Sequence, residues 1–92
     1  MKIYCHEEKE VMAVQYGVDP EAKKLVSLCY KYDDNICEVP SDLIDKPQDA
    51  FYAVKNKYGW QTIKNGDWII QEDNELNVFP NGLFTLVFEE KE

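Results

Sequence analysis

Lys64-Asn65-Gly66-Asp67-Trp68-Ile69-Ile70 contains the strongest turn signal in this chain of 92 residues. Asn-Gly between apolar, alternating segments is typical of a two-residue β-hairpin, because both residues tolerate the positive φ of a type I′ turn. We therefore expect residues 60–64 and 67–71 to be paired antiparallel strands. Asp67 is expected to stabilise the turn by accepting backbone hydrogen bonds, and Trp68 to be a core anchor.

Length and composition indicate one domain, residues 1–92. A hydrophobic content of 45% supports a single modest core, and it argues against disorder despite a formal net charge of −8. The apolar runs are too short to span a membrane, and the N-terminus turns acidic where a secretory signal needs a long apolar stretch. The three cysteines fit reduced thiols better than a disulfide framework. These features predict a soluble cytoplasmic protein.

The charge of the chain restricts its partners. Eighteen acidic residues stand against ten basic residues, and all ten are lysines. Bidentate phosphate contacts and base-edge recognition favour arginine, which is absent here. We therefore expect no direct binding to nucleic acid. An acidic field of this kind suits a basic protein partner, or mimicry of a polyanion.

The first third of the chain carries both strand and helix signals. Residues 1–10 are typical of a short arm or edge strand followed by a solvated charged loop, and residues 11–16 of a strand buried on both faces. Asp19 and Pro20 suit the N-cap and first position of a helix. Apolar side chains then recur at helical spacing, which predicts the main helix up to Tyr32. These side chains are Ala22, Leu25, Val26, Cys29 and Tyr32.

The rest of the chain is predicted to be an antiparallel meander. Strand signals cover residues 36–39, 51–55, 60–64, 67–71 and 76–79, and Ser41 is placed to cap a helical turn over Leu43 and Ile44. The tail is ambiguous: Phe84-Thr85-Leu86-Val87-Phe88 has strand propensity, whereas Asn81 can cap a helix beginning near Gly82. The expected fold class is α+β, with a small, mostly antiparallel twisted sheet of about five strands (β-α-β-β-β-β) on one main helix.

The most acidic segment, residues 33–49, is the first candidate binding surface. It is either a solvated loop, as carboxylates usually are, or a surface presented to a partner. The candidate partner-binding residues are Asp33, Asp34, Glu38, Asp42, Asp45 and Asp49.

A second candidate site combines aromatic and basic residues. Trp60, Lys64 and Trp68 are candidates for a ligand patch, and the acid-free residues 50–66 resemble a base-stacking platform. The alternative is structural: lysines protect sheet edges, and the aromatic residues form cross-strand pairs.

Catalytic and metal signatures are not found in the sequence. His6 is the only histidine, and its neighbour Cys5 points to the opposite face if both lie on a strand. The cysteines lack the short paired spacing of a zinc site. We expect a protein that is not an enzyme and that needs no cofactor or metal.

Three motifs resemble a widespread group of small phage and prophage proteins. Val11-x-Ala13-x-Gln15-Tyr16 resembles V-x-A-x-Q-[WY], Gly66-Asp67-Trp68-Ile69-Ile70 resembles G-D-[WY]-[IV]-[IV], and Phe84-x-x-x-Phe88-Glu89 resembles F-x-x-x-[YF]-E. Tyr16 stands where tryptophan is common, and residues 33–58 have no counterpart. The resemblance implies a phage setting and a short amphipathic helix in the tail, which favours helix there. It implies no activity.

These observations predict a small acidic phage accessory protein that acts in the cytoplasm of a bacterial host. It would bind a host protein with a basic surface and inhibit a defence or nucleic-acid-handling system by polyanion mimicry. Two alternatives stay open: a phage structural or assembly protein that acts through homo-oligomerisation, and a protein that binds a nucleotide signal.

Overall fold

A computed structural model of the chain describes residues 2–40 and 50–91. Within these two stretches the backbone forms nine strands, one 3-10 helix and one α-helix. In chain order they are β1 (Lys2–His6), β2 (Lys9–Gln15), the 3-10 helix (Pro20–Lys24), β3 (Ser27–Tyr32), β4 (Asn35–Glu38), β5 (Phe51–Asn56), β6 (Gly59–Thr62), β7 (Trp68–Glu72), β8 (Glu75–Phe79), α1 (Asn81–Val87) and β9 (Glu89–Glu90). Neither helix is long and apolar enough to cross a membrane.

The described strands form two sheets, and every pairing is antiparallel. The first sheet has the order β8-β7-β2-β1-β9, and the second has the order β4-β3-β5-β6. Strands adjacent in the chain pair as the hairpins β1–β2, β3–β4, β5–β6 and β7–β8. The prediction of mostly antiparallel strands with a short C-terminal helix is thus confirmed, but the described strands form two sheets in place of the predicted single sheet of about five strands.

Most predicted strands are present. Residues 11–16 lie mainly in β2, and the segments beginning at residues 36, 51 and 76 appear as β4, β5 and β8. The N-terminal arm is β1, and the charged run after it is the β1–β2 turn and the start of β2. The helical turn predicted after Ser41 lies outside the described residues.

The predicted hairpin around Asn65-Gly66 is wrong. β6 pairs with β5, whereas β7 pairs with β2 and β8, so the turn connects the two sheets. Its i→i+3 hydrogen bond runs from the Asp67 N–H to the Lys64 carbonyl, over 3.0 Å. Gly66 has a φ of +97°, while Asn65 is not in the left-handed region. A glycine with positive φ at the third position is typical of a type II turn, which does not match the twist of a two-residue hairpin.

The main helix predicted up to Tyr32 is also wrong. The chain makes only the 3-10 helix Pro20–Lys24 and then enters strand β3. Asp19 makes no side-chain cap, and its carboxylate instead accepts a hydrogen bond from the Gln15 N–H. Residues 27–32 also alternate with a period of two, and β3 gains backbone hydrogen bonds from both β4 and β5. Such tertiary pairing overrides a weak local helix preference.

The tail is a helix, as the family resemblance favours. α1 spans Asn81–Val87, and its buried side chain is Phe84, with 2% exposure. Asn81 does not cap the helix: Pro80 occupies the cap position, and no side-chain cap hydrogen bond forms. The side chain of Asn81 contacts the first sheet instead, as described below.

Two buried clusters lie on opposite faces of the first sheet. One lies under α1 and contains Tyr4, Val11, Ala13, Ile70 and Phe84. The other is shared with the second sheet and contains Val14, Ala22, Val54, Ile63 and Ile69. Neighbouring residues of β2 and β7 therefore belong to different clusters, because successive side chains of a strand point to opposite faces. The predicted burial of both faces of residues 11–16 is confirmed for Val11 and Ala13 on one face and Val14 on the other, whereas Met12 is 42% exposed.

Candidate functional site

The three motifs that carry the family resemblance meet at one junction on the first sheet. The Trp68 ring stacks on Phe84 with centroids 4.0 Å apart and planes 9° apart. The indole N–H of Trp68 donates to Oδ1 of Asn81 over 2.9 Å. The Gln15 amide donates to the same oxygen and to the Gly66 carbonyl. Each motif thus has an architectural role, and the expectation that Trp68 is a core anchor is confirmed.

The junction continues into a layer of aromatic rings. Tyr4 contacts Trp68 and Phe84 edge-on, with centroids 5.3 and 4.9 Å away. Phe88 stacks on Phe84 and contacts Phe79 edge-on. Burial raises the pKa of the Tyr4 hydroxyl, and the nearby Glu90 carboxylate adds to the effect. The burial of the ring among these aromatic side chains makes Tyr4 a packing residue.

Asp67 stabilises the turn between the sheets, as predicted. Its carboxylate accepts a hydrogen bond from the Lys64 N–H over 3.0 Å. Its carbonyl accepts from the Tyr16 N–H, and the Tyr16 carbonyl accepts from the Gly66 N–H, each over 2.8 Å. The turn is thereby fixed to the end of β2. These hydrogen bonds explain Asp67 by a structural role in the turn.

Only part of the predicted acidic surface lies within the residues that the structure describes. Asp33 and Asp34 form the turn of the β3–β4 hairpin, and Glu38 is the last residue of β4; all three are exposed. The Asp34 carboxylate lies 3.9 Å from the Lys31 ammonium, and its side chain is 97% exposed. An ion pair this open is worth little, so the charge is displayed rather than neutralised. The remaining members, Asp42, Asp45 and Asp49, lie outside the described residues.

A second acidic surface lies at the far end of the molecule. Glu7-Glu8 and Asp73-Asn74 are the turns of the β1–β2 and β7–β8 hairpins. The two turns lie side by side, because Lys9 forms ion pairs with both Glu72 and Asp73. The hydrogen bond with Glu72 raises the pKa of Lys9.

Strand direction places the two acidic surfaces at opposite ends. The β5–β6 turn contacts β8 beside the second surface, where the Lys57 N–H donates to the Glu75 carboxylate over 3.0 Å. β3 runs antiparallel to β5, so the β3–β4 turn lies at the other end of the second sheet. Sequence reasoning missed the second surface because it treated residues 7–10 as a loop. The signal was present as two segments of strand-forming residues, Ile3-Tyr4-Cys5 and Val11-Met12-Ala13-Val14, on either side of Glu7-Glu8.

The structure separates the three members of the predicted ligand patch. Trp60 lies in β6 of the second sheet, where it pairs with Lys55; the ammonium lies 5.5 Å from the ring centroid. Trp68 lies in β7 of the first sheet, and Lys64 precedes the turn between them. A groove of about 460 Å³ includes Trp60 but neither of the other two. Its lining is Ile36, Trp60, Gln61, Thr62, Asp67, Val78 and Pro80.

The remaining side chains with reactive groups are three cysteines and one histidine. Cys5, Cys29 and Cys37 are free thiols, and burial raises the pKa of the Cys29 thiol. His6 contacts the Val87 carbonyl through Nδ1, at 3.1 Å. In residues 2–40 and 50–91 no polar or charged residue is buried, and no three metal-ligating side chains cluster.

Comparisons of the chain with protein-family models, with curated proteins and with solved structures found no match.

Proposed function

We propose that this chain is a small phage accessory protein that binds a host protein through the acidic surface that contains Asp33, Asp34 and Glu38. The observation that carries the proposal is the position of the carboxylates at the hairpin turns. Of the six non-glycine residues with positive φ among the described residues, five are acidic: Glu7, Glu8, Asp33, Asp34 and Asp73. The acids therefore project from the ends of the sheets, where a partner can reach them.

The backbone at these turns supports a role for the charge itself. A left-handed conformation costs a non-glycine residue about 1–2 kcal/mol, and Asn-Gly is the pair that type I′ turns prefer. Aspartate tolerates this conformation better than glutamate does, so Glu7-Glu8 carries the larger strain. Unfavourable backbone conformations persist where the side chain serves another purpose. Display of carboxylates is such a purpose.

The partner implied by this surface is basic. A net charge of −8 without arginine repels nucleic acid and attracts proteins that bind it. Long-range attraction of this kind accelerates association and disfavours wrong partners. Occupying the polyanion site of a defence nuclease, or of another nucleic-acid-handling protein, would inhibit that protein. The phage setting comes from the motif resemblance.

The test compares two variants, each of which reverses the charge at one of the two acidic surfaces. Asp33→Lys with Asp34→Lys is compared with Glu7→Lys with Glu8→Lys, since both pairs change the net charge equally at opposite ends. Host proteins captured by the native chain are identified and purified, and their association rates are measured over a range of salt. We expect the first pair to lower the association rate about tenfold and to weaken its salt dependence. Equal binding by all three proteins would disprove the acidic-surface proposal.

Self-association is the second candidate, because α1 presents apolar side chains to solvent. Leu83 is 47% exposed and Leu86 is 85% exposed. A phage assembly protein would bury such residues against another copy. Sedimentation over a range of protein concentrations separates the candidates: a stable oligomer that Leu86→Glu dissociates would favour assembly.

A further inference from the structure

One face of the second sheet carries a row of tyrosines. Strand alternation places Tyr30 and Tyr32 of β3 on the same face as Leu28. Leu28 is the cross-strand partner of Tyr52 in β5, so Tyr52 lies on this face too. The ring of Tyr16 lies 6.3 Å from that of Tyr52. We call Tyr16, Tyr30, Tyr32 and Tyr52 the tyrosine face.

The tyrosine face opens to solvent toward the β3–β4 turn. Tyr32 is 70% exposed and Tyr52 is 36% exposed. Tyr16 and Tyr30 are half-buried, and Tyr16 packs on the cluster shared by the two sheets. The face thus runs from the edge of the core to an exposed aromatic ring. Tyrosines so placed are enriched among the residues that dominate protein interfaces.

The charges near this face favour a cationic ligand over a phosphate backbone. Tyr32 is followed directly by the Asp33-Asp34 turn. Lys31 and Lys55 point to the opposite face, because they alternate with the tyrosines along β3 and β5. Among the described strand residues that share the tyrosine face, none is a lysine. A phosphate backbone would meet two carboxylates here, with the Lys31 ammonium 3.9 Å from Asp34 as a pairing cation at the edge, whereas a cation would meet carboxylates and aromatic rings together.

We propose that the tyrosine face, together with Asp33 and Asp34, is the docking surface for an arginine-rich segment of the basic partner. The guanidinium group is planar, stacks on aromatic rings and forms paired hydrogen bonds with carboxylates. A lysine ammonium pairs with a carboxylate but does not stack in this way. The inference rests on the proposed function and specifies which side chains of the partner are recognised.

The test uses two probes, an arginine homopeptide and a lysine homopeptide of equal length. We expect the native chain to bind the arginine peptide more tightly, at fixed ionic strength, by calorimetry. Tyr32→Ala should weaken that binding about threefold to tenfold, and Tyr32→Phe should retain it, because the ring supplies the stacking. Tyr58→Ala is the matched control, since Tyr58 is 83% exposed on the β5–β6 turn at the other end of the sheet. It should leave the affinity unchanged.

Backbone NMR of the folded variants distinguishes the possible failures. Arginine peptide should shift the amide signals of residues 30–34 and 52 and leave those of residues 57–59 in place. Equal affinity for both peptides, or equal loss of affinity in Tyr32→Ala and Tyr58→Ala, would overturn the docking role of the tyrosine face. Neither result would contradict binding through the acidic surface. Binding of neither peptide would overturn the proposed function as well. Saturable binding of single-stranded DNA at residues 30–34 would overturn the choice of a protein partner.

Discussion

Asn81 is the residue on which two other side chains depend. Its amide oxygen accepts hydrogen bonds from the Trp68 indole, over 2.9 Å, and from the Gln15 amide, over 3.3 Å. Through these bonds the first turn of α1 is joined to β2 and β7. The sequence suggested Asn81 as a helix cap, since asparagine before an apolar run usually serves that purpose. Its true partners lie 66 and 13 positions away in the chain, so no local pattern indicates them.

We predict that Asn81→Ala lowers the free energy of unfolding by about 1 kcal/mol, because two side-chain hydrogen bonds are lost at an exposed site where water can replace the acceptor. Asn81→Asp keeps an acceptor oxygen in place and should cost much less. Asn35→Ala is the control, since the Asn35 side chain donates only across its own turn, to the Asp33 carbonyl. Urea unfolding followed by tryptophan fluorescence measures all three. A loss in Asn81→Ala no larger than that in Asn35→Ala would contradict the joining role.

At the scale of the elements, turn preferences did not predict which strands pair as hairpins. Three described turns have type I′ backbone without glycine, at Glu7-Glu8, Asp33-Asp34 and Asp73-Asn74. Neither Asn-Gly pair of the chain forms a hairpin: Asn65-Gly66 connects the two sheets, because β6 and β7 each pair with another strand, and Asn81-Gly82 begins α1. Turn preference is worth about 1 kcal/mol, whereas pairing and burial of whole strands involve many such contributions. Strand partners were therefore beyond prediction from turns alone.

We predict that Glu8→Gly stabilises the fold by about 1 kcal/mol, because glycine adopts the φ of +68° found at this position without steric cost. Glu10→Gly is the comparison variant: it removes the same side chain two positions later, within β2, where glycine weakens a strand and the ion pair with Lys91 is lost as well. The first variant should melt at a higher temperature than the native chain and the second at a lower one. If both variants melt lower, the strain attributed to the β1–β2 turn is absent.

At the scale of the whole molecule, the two acidic surfaces are separated by the two packed sheets. The long dimension is 43 Å, against 24 and 22 Å for the others. Composition already indicated an acidic chain, and the number of acids along it placed the charge in residues 33–49. The second surface comes from tertiary structure, which brings the Glu7-Glu8 and Asp73-Asn74 turns together. The tyrosine face escaped the sequence analysis for a related reason: Tyr32 was assigned to a helix, where it shares no face with Tyr52.

Like charges at each end make salt act in opposite directions on folding and on binding. Salt screens the repulsion among exposed carboxylates over about 8–10 Å, so it should stabilise the folded chain. The same screening should weaken attachment to a basic partner. We predict that raising NaCl from about 10 mM to about 150 mM increases the melting temperature while it lowers affinity for the arginine peptide.

The matched variant for this prediction is Glu7→Gln with Glu8→Gln, which removes two negative charges and keeps side-chain size. Its melting temperature should respond less to NaCl than that of the native chain, whereas its peptide affinity should keep most of its salt dependence, since Asp33 and Asp34 are intact. The exposed ion pairs, such as Lys2 with Glu90 at 3.5 Å, act against the expected rise, because salt weakens them. A melting temperature that falls with added NaCl would show that these pairs outweigh the repulsion, and that the net charge costs the fold little.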